Sequence, residues 1–435
     1  MAFQQGLSGL NAASKALDVT SNNIANSGTV GFKSASTHFA DVYARSLSGG
    51  GSGGQVGIGV AVSAIQQQFT QGNITTTNNP LDISINGQGF FRMDQDGAVT
   101  FSRAGQFHLD KNGYIINDQA LRLTGYPADA SGLIVPSTPQ PLQVSAADLA
   151  PVVTGGSIGG AFQGVLANLN FDSRMAPPVN AWADGPAAPA QWSPSPTTYN
   201  YSTALSVYDT LGNPHTLTFY FVKTANPGEW ETYANVDGTT NDALGGGPVG
   251  TLQFDANGAL DPATAVMPIS IDLDAVMTSL GSPNNAGTPL AFDLDFTGST
   301  QFGAAFGTNR LEQDGYSSGR LVGLSVGSDG ILQGRYSNGQ TRNQGQIVLA
   351  NFTNPNGLVS LGNNQWSETA DSGPPLVGAP NSSSLGVLQS ASVEESNVDL
   401  TQELVNMITQ QRSYQANAQS IKTQDQIMQT IVNLR

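Results

Sequence analysis

Chemistry in this 435-residue chain could start at only a few places: three histidines, two alternating aspartate pairs and one glycine-serine run. His38, His108 and His215 stand far apart, and none lies beside another or beside an acidic pair at ligand spacing, so they read as surface or packing residues. Asp272 and Asp274, like Asp293 and Asp295, alternate with apolar residues. Two carboxylates aimed at one Ca²⁺ could be written that way, but the outward face of a strand explains the alternation better. Cysteine is absent, which removes thiol nucleophiles, thiolate metal sites, disulfides and thiol-derived cross-links. The run Ser48-Gly49-Gly50-Gly51-Ser52-Gly53-Gly54 has no Gly-Lys-Ser/Thr after it and no strand before it, so it reads as a connector or loop tip and not a phosphate cradle. No Gly-x-Ser-x-Gly elbow occurs, and no convincing acid and base pair of the glycosidase kind. The sequons Asn73-Ile74-Thr75 and Asn200-Tyr201-Ser202 carry meaning only on a secretory route. The sequence therefore predicts no catalytic residue, no cofactor and no metal, and a protein that is not an enzyme.

Charged residues make up 11% of the chain, against about 25% in ordinary globular domains. Neutral polar residues and 51 glycines take their place. Such a surface is cheap to desolvate, so many copies could pack without stranding buried ions. Net charge is −16 with only 16 Lys and Arg, which argues against nucleic acid and anionic lipid as partners, since both need clustered basic groups. The start, Met1-Ala2-Phe3-Gln4-Gln5, has neither the basic region nor the apolar stretch of a secretory signal, and no window approaches the roughly 20 apolar residues of a membrane span. That reading fits a cytoplasmic protein, and equally one exported unfolded without a cleaved signal.

The two ends read as helices and the region between them as β. Phe3, Leu10, Leu17 and Ile24 recur at intervals of seven, with Leu7 and Ala13 beside them, setting an apolar seam along a helix of about 35 Å. Gly6 and Gly9 weaken it, each interior Gly costing about 1 kcal/mol relative to Ala, so the helix is marginal alone. At the other end Leu400, Met407, Tyr414, Ile421 and Met428 again lie seven apart, flanked by Leu404, Ala418 and Val432. Ser396 or Asn397 is the expected N-cap, with Asp399 and Glu403 in the early turns where the helix dipole favours acids. Neither seam holds enough apolar area for isolation, so the ends are expected to order on assembly. An intramolecular helical hairpin with no assembly role fits the same spacing.

Between the helices, Asn86-Gly87, Asp96-Gly97, Asn112-Gly113, Asp237-Gly238, Asn257-Gly258, Asp329-Gly330 and Asn338-Gly339 are hairpin signals. Leu217, Phe219 and Phe221 alternate, as do Trp230, Thr232, Ala234 and Val236, predicting half-buried strands. A Pro- and Ala-rich passage at 175–198 is expected to be an exposed loop. The predicted fold class is mainly β with terminal α-helices: nested, discontinuous β-barrel or sandwich domains plus an N-/C-terminal helical coiled-coil domain.

The first helix ends in Ser21-Asn22-Asn23-Ile24-Ala25-Asn26, followed by Thr29-Val30-Gly31-Phe32-Lys33. This stretch resembles the signature shared by the axial protein family of the bacterial flagellum, its rod, hook and hook-junction subunits. Ser396-Asn397-Val398-Asp399-Leu400, Glu403-Leu404-Val405-Asn406-Met407-Ile408 and Gln411-Arg412-Ser413-Tyr414 are similar to the family's C-terminal motif. The ending from Lys422-Thr423-Gln424-Asp425-Gln426-Ile427 through Val432-Asn433-Leu434-Arg435 resembles the hook members, as do Asn86 to Phe91, Leu123 to Pro127 and Gly345 to Phe352. A distal rod subunit is the alternative, sharing both ends in a shorter chain.

The resemblance implies that the terminal helices form a coiled coil that lines an export channel and packs against the same helices of neighbouring subunits. Phe3, Leu7, Leu10, Leu17 and Ile24, with Leu400, Leu404, Met407, Tyr414, Ile421 and Met428, are then the assembly residues. It further implies a self-assembling curved tube, a universal joint carrying torque from rod to filament. Its partners would be further copies of itself, the distal rod, the hook cap, the length-control and junction proteins, and the type III export apparatus that delivers it outside the cell. No cofactor, nucleic acid or membrane insertion is implied. The layout it implies is an inner helical domain (1–33, 393–435), a connector (34–70, 389–392), a middle β domain (71–146, 317–388) and an outer β domain (147–316).

Overall fold

The computed structural model describes residues 2–42, 57–129, 131–145, 147–156, 162–183, 192–239, 247–382 and 384–433. The glycine-serine run at 48–54 lies outside the described residues, as does the side chain of Val432. The chain is mainly β with a long helix at each end, as expected, and its sheets are open and not closed into barrels. Helices α1 (Ala2–Ala25) and α3 (Leu400–Asn433) are the terminal pair, and α2 (Leu273–Ser279) is a short one between strands. Two compact units result: residues 1–146, 323–335 and 341–435 form the first, and 147–322 with 336–340 form the second.

In the first unit, α1 leads into a two-stranded antiparallel ribbon of β1 (Ala35–Val42) and β2 (Gly59–Gln67), with Ala35 opposite Gln67 and a bulge at His38/Phe39. The outgoing and returning chains then run side by side. Strand β3 (Ile74–Thr76) pairs with Ser392–Glu394, and β4 (Ile83–Asn86) pairs with Val387–Ser390. Strands β5 (Phe90–Gln95) and β6 (Ala98–Ser102) close a hairpin through Asp96 and Gly97, both at positive φ (51° and 94°), as the Asp-Gly signal predicts. Behind them sits a core of Phe90, Phe101, Ala350, Phe352 and Trp366. Phe69, just after the ribbon, packs edge-on to Phe90 and Trp366 at 5.5 and 5.6 Å, so the ribbon's return strand is anchored in the β body.

In the second unit, strands Tyr201–Tyr208, Pro214–Lys223, Glu229–Val236 and Gly250–Gln253 form one antiparallel sheet. A second sheet is built on Val165–Asp172, with Gly307–Gln313, Leu290–Asp295, Thr300–Phe302 and Val266–Ile271. Leu217, Phe219, Phe221 and Trp230 meet Phe171, Phe292, Leu294 and Phe296 in one buried core.

Three expectations need correction here. Residues 232–236 are buried on both faces and not half-buried, because Trp182, from the otherwise mostly exposed loop, stacks on Tyr233 at 4.2 Å, while Tyr199 packs against Tyr220 of the neighbouring strand. Asp272 and Asp274 do not share a strand face. Asp272 caps α2 by accepting from the Ala275 N–H, and Asp274 lies in its first turn. His38 and His108 are exposed, but His215 is buried between the carboxylates of Asp209 and Asp237, which its place in the sequence did not reveal.

Candidate assembly surface

A 24-residue α1 and a 34-residue α3 span about 36 and 51 Å. They pack antiparallel, since Gly6 lies against Ile421, Gly9 against Asn417, and Asn23 reaches Glu403. The residues α1 buries are small: Gly6, Ala12, Ala13, Ala16, Thr20 and Asn23. A Cβ on Gly6 would stand 2.9 Å from the Ile421 Cγ1, and one on Gly9 would stand 2.8 Å from the Asn417 Oδ1. The two glycines, a cost to an isolated helix, are what let these backbones approach.

Closing the pair through small residues leaves the large ones outside it. Phe3, Leu7, Leu400, Leu404, Tyr414 and Met428 are 37–62% exposed. Val405, Ile408 and Ile427 are also about half exposed. Leu10, Leu17, Ile24, Met407 and Ile421 are half-buried. No residue of α3 whose burial is described is buried.

Where the helices join the β body, the motif residues form a polar lock. The Asn23 amide donates to the Ala35 carbonyl (2.8 Å) and to the Glu403 Oε1 (3.3 Å), and its oxygen accepts from the Ala35 N–H (2.9 Å). Asn397 accepts from the Ser34 N–H (2.7 Å) and donates to the Gln68 carbonyl (2.7 Å) and the Thr70 Oγ1 (2.9 Å). Ser396 or Asn397 is the cap expected from the sequence; the capping falls instead to Asp399, which accepts from the N–H groups of Thr401 and Gln402. Asn26 donates to Asn22 and Thr29 donates to Asn26, closing the turn. Gly31 has φ 72° and donates its N–H to the Glu394 carbonyl; a Cβ there would come 2.5 Å from the Ala104 nitrogen, so only glycine fits. Phe32 is half-buried, Ala25 is exposed, and Ser396 accepts from the Val398 N–H.

Beneath this turn is an ion cluster that the sequence reading missed. Lys33, Arg103 and Glu394 are all buried. The Glu394 Oε1 accepts from the Lys33 Nζ (2.7 Å) and the Gly72 N–H (2.8 Å), and its Oε2 accepts from the Arg103 Nη1 (3.2 Å). Lys33 also donates to the Thr70 carbonyl, and Arg103 to the Gly87 carbonyl. Burial draws both cations below their ordinary pKa, opposed by the Glu394 carboxylate. The cluster ties α1's exit, the ribbon's return, β6 and the chain entering α3 to one carboxylate. The family motif contained Lys33; nothing in the spacing marked Arg103 or Glu394 as its partners.

The chain matches four family models: "Flagella basal body rod protein" over residues 3–33, "Flagellar hook protein FlgE/F/G D1 domain" over 84–147, "Flagellar basal body protein FlaE D2 domain" over 168–316 and "Flagellar basal body rod FlgEFG protein C-terminal" over 389–434. It is 40% identical over 439 residues to the flagellar hook protein FlgE of Escherichia coli K12, with 100% of both chains covered. It is 41% identical over 442 residues to that of Salmonella typhimurium, again covering 100% of both. It is 32% identical to that of Borreliella burgdorferi over 99% of this chain and 98% of the relative. The solved structure of Helicobacter pylori flagellar hook protein FlgE2 shares the fold, with a TM-score of 0.51 at 14% identity over 74% of this chain and 100% of that one.

Proposed function

The chain belongs to the flagellar hook protein family, and from that premise we propose that it is the repeating structural subunit of the hook, assembled into a curved, hollow tube that passes torque from rod to filament. One observation carries the assembly mechanism: the helix pair closes on itself through small residues and turns Phe3, Leu7, Leu400, Leu404 and Met428 outward. Fully burying a Leu or Phe side chain is worth about 1.5–3 kcal/mol, so several of them left about half exposed on the two helices are an unmet driving force. Helices of neighbouring copies meet it, and together they enclose the export channel.

The lock at Asn23, Lys33, Glu394 and Asn397 supports a second role, holding the angle between helices and β body so that torque is not lost in a loose joint. The scarcity of charge suits contacts between β domains that are exchanged as the tube bends, because shifting neutral polar groups breaks no buried ion pair. Further partners of this subunit are the distal rod, the cap, the length-control and junction proteins, and the type III export apparatus. Purified full-length protein imaged by electron microscopy is expected to form tubes. Chains lacking residues 1–33 or 397–435 are expected to keep their β units and form none. Tubes from either truncation would sink the proposal.

A further inference from the structure

His215 sits at one end of the first sheet of the second unit, where three strands finish or begin together. It is 3% exposed and follows directly on the start of strand Pro214–Lys223. Asp209, fully buried, opens the turn after Tyr201–Tyr208, and Asp237 follows the end of Glu229–Val236. The His215 Nδ1 is 2.7 Å from the Asp237 Oδ2, and its Nε2 is 3.5 Å from the Asp209 Oδ2. Both carboxylates are held in place. Asp209 accepts from the N–H groups of Leu211 and Asn213, from the Asn213 amide (2.9 Å) and from the Asn284 amide (3.4 Å). Asp237 accepts from the Thr216 N–H at 2.7 Å.

A neutral ring would carry one N–H only. If Nδ1 donates to Asp237, a neutral Nε2 would turn its lone pair toward the buried Asp209 carboxylate 3.5 Å away, and among the described residues Nε2 makes no hydrogen bond. The imidazolium instead donates to Asp237 and sets a positive Nε2–H within 3.5 Å of the Asp209 carboxylate as an ion contact. We propose that His215 is a proton-held clasp that binds the 209–213 turn to the far strand end and opens when the proton leaves.

The hydrogen bond to Asp237 leads in raising the His215 pKa above its ordinary value, burial opposes it, and Asp209 adds to the rise. A group whose folded pKa is raised stabilises fully below its unfolded value, near 6.5, and loses that contribution as pH climbs through the folded midpoint. The clasp is therefore fully held near and below the unfolded value and loosens as pH rises through a midpoint above it. Among the described residues, Asp209 and Asp237 are the charged groups the ring meets.

The test uses the full chain. Imidazole NMR, with the His215 signal assigned by its loss in His215→Gln, is expected to give a midpoint above 6.5, and Asp237→Asn is expected to lower it. Hydrogen exchange of segments 205–217 and 235–239, corrected for intrinsic rates, is expected to show an opening constant that rises with pH. Each unit by which the midpoint exceeds 6.5 corresponds to about tenfold in that constant. In His215→Gln the rise should vanish. A midpoint at or below 6.5, or the same rise in His215→Gln, overturns the clasp. Should His215→Gln not fold, the other two histidine signals are assigned by their loss in His38→Gln and His108→Gln, and the comparison of wild type with Asp237→Asn decides the matter.

Discussion

The sandwich of the second unit and the helix pair of the first treat their apolar residues in opposite ways. In the sandwich, Phe171, Phe219, Phe221, Trp230, Leu294 and Phe296 are all fully buried by the chain's own two sheets. Along α3, Leu400, Leu404, Val405, Ile408, Ile427 and Met428 stay roughly half exposed. The same side-chain chemistry thus serves a finished core in one region and an unfinished one in the other. What separates them is the partner: large residues opposite large ones across the sandwich, small residues opposite α3 along α1. A chain that satisfied its helices internally would have no apolar surface left there to share with another copy.

The largest expected effect lies at the lock between the helix pair and the β body. Glu394→Ala leaves Lys33 and Arg103 buried without their shared carboxylate, a change expected to destabilise the first unit by about 3–5 kcal/mol. Hydrogen exchange should report it as lost protection in β3, β4 and the N-terminal turns of α3. Lys33→Met leaves one cation against one carboxylate and should cost less. Equal losses from the two substitutions would show that the unbalanced charge is not what matters there.

Much of this division was legible in the residues, for physical reasons that also explain the gaps. Sevenfold spacing named both helices, and alternation at Leu217, Phe219 and Phe221 named a core strand, because a repeating backbone imposes a repeating pattern. Buried ionic partners impose none. Lys33 and Glu394 are 361 positions apart, and Asp237 lies 22 from His215, so only the folded chain brings them together. Gly6 and Gly9 weaken an isolated helix, as read, but their second role was hidden for a different reason. Helix propensity scores glycine against solvent, whereas here the neighbour is another helix and the missing Cβ is the contact. Likewise, Asn397 looked like a cap by residue type, but its amide is committed to Ser34, Gln68 and Thr70, and Asp399 takes the cap.

An intermediate effect is expected at the seam itself. Gly9→Val places a branched side chain where the Asn417 amide already stands, which should cost about 1–3 kcal/mol of helix pairing. Circular dichroism of the full chain should show reduced helix content with the β signal retained. Unchanged helicity would mean that α1 and α3 do not depend on this close approach.

The smallest effect on the isolated chain should come from the substitution that most disturbs assembly. Leu404→Ala and Leu217→Ala remove the same atoms. Leu217 is fully buried in the sandwich and its truncation should cost about 2–5 kcal/mol of unfolding free energy. Leu404 is 46% exposed, and in the monomer its truncation should stay within about 0.5 kcal/mol. In the polymer the order reverses. If a neighbouring copy buries Leu404, the lost burial of about 1.5–3 kcal/mol raises the critical concentration for tube formation by roughly tenfold or more. Denaturant unfolding supplies the first comparison, and sedimentation of polymer across a concentration series supplies the second. A Leu404→Ala chain that polymerises at the wild-type concentration would mean that this face of α3 stays open in the tube, and the contrast between the finished and unfinished cores would lose its functional meaning.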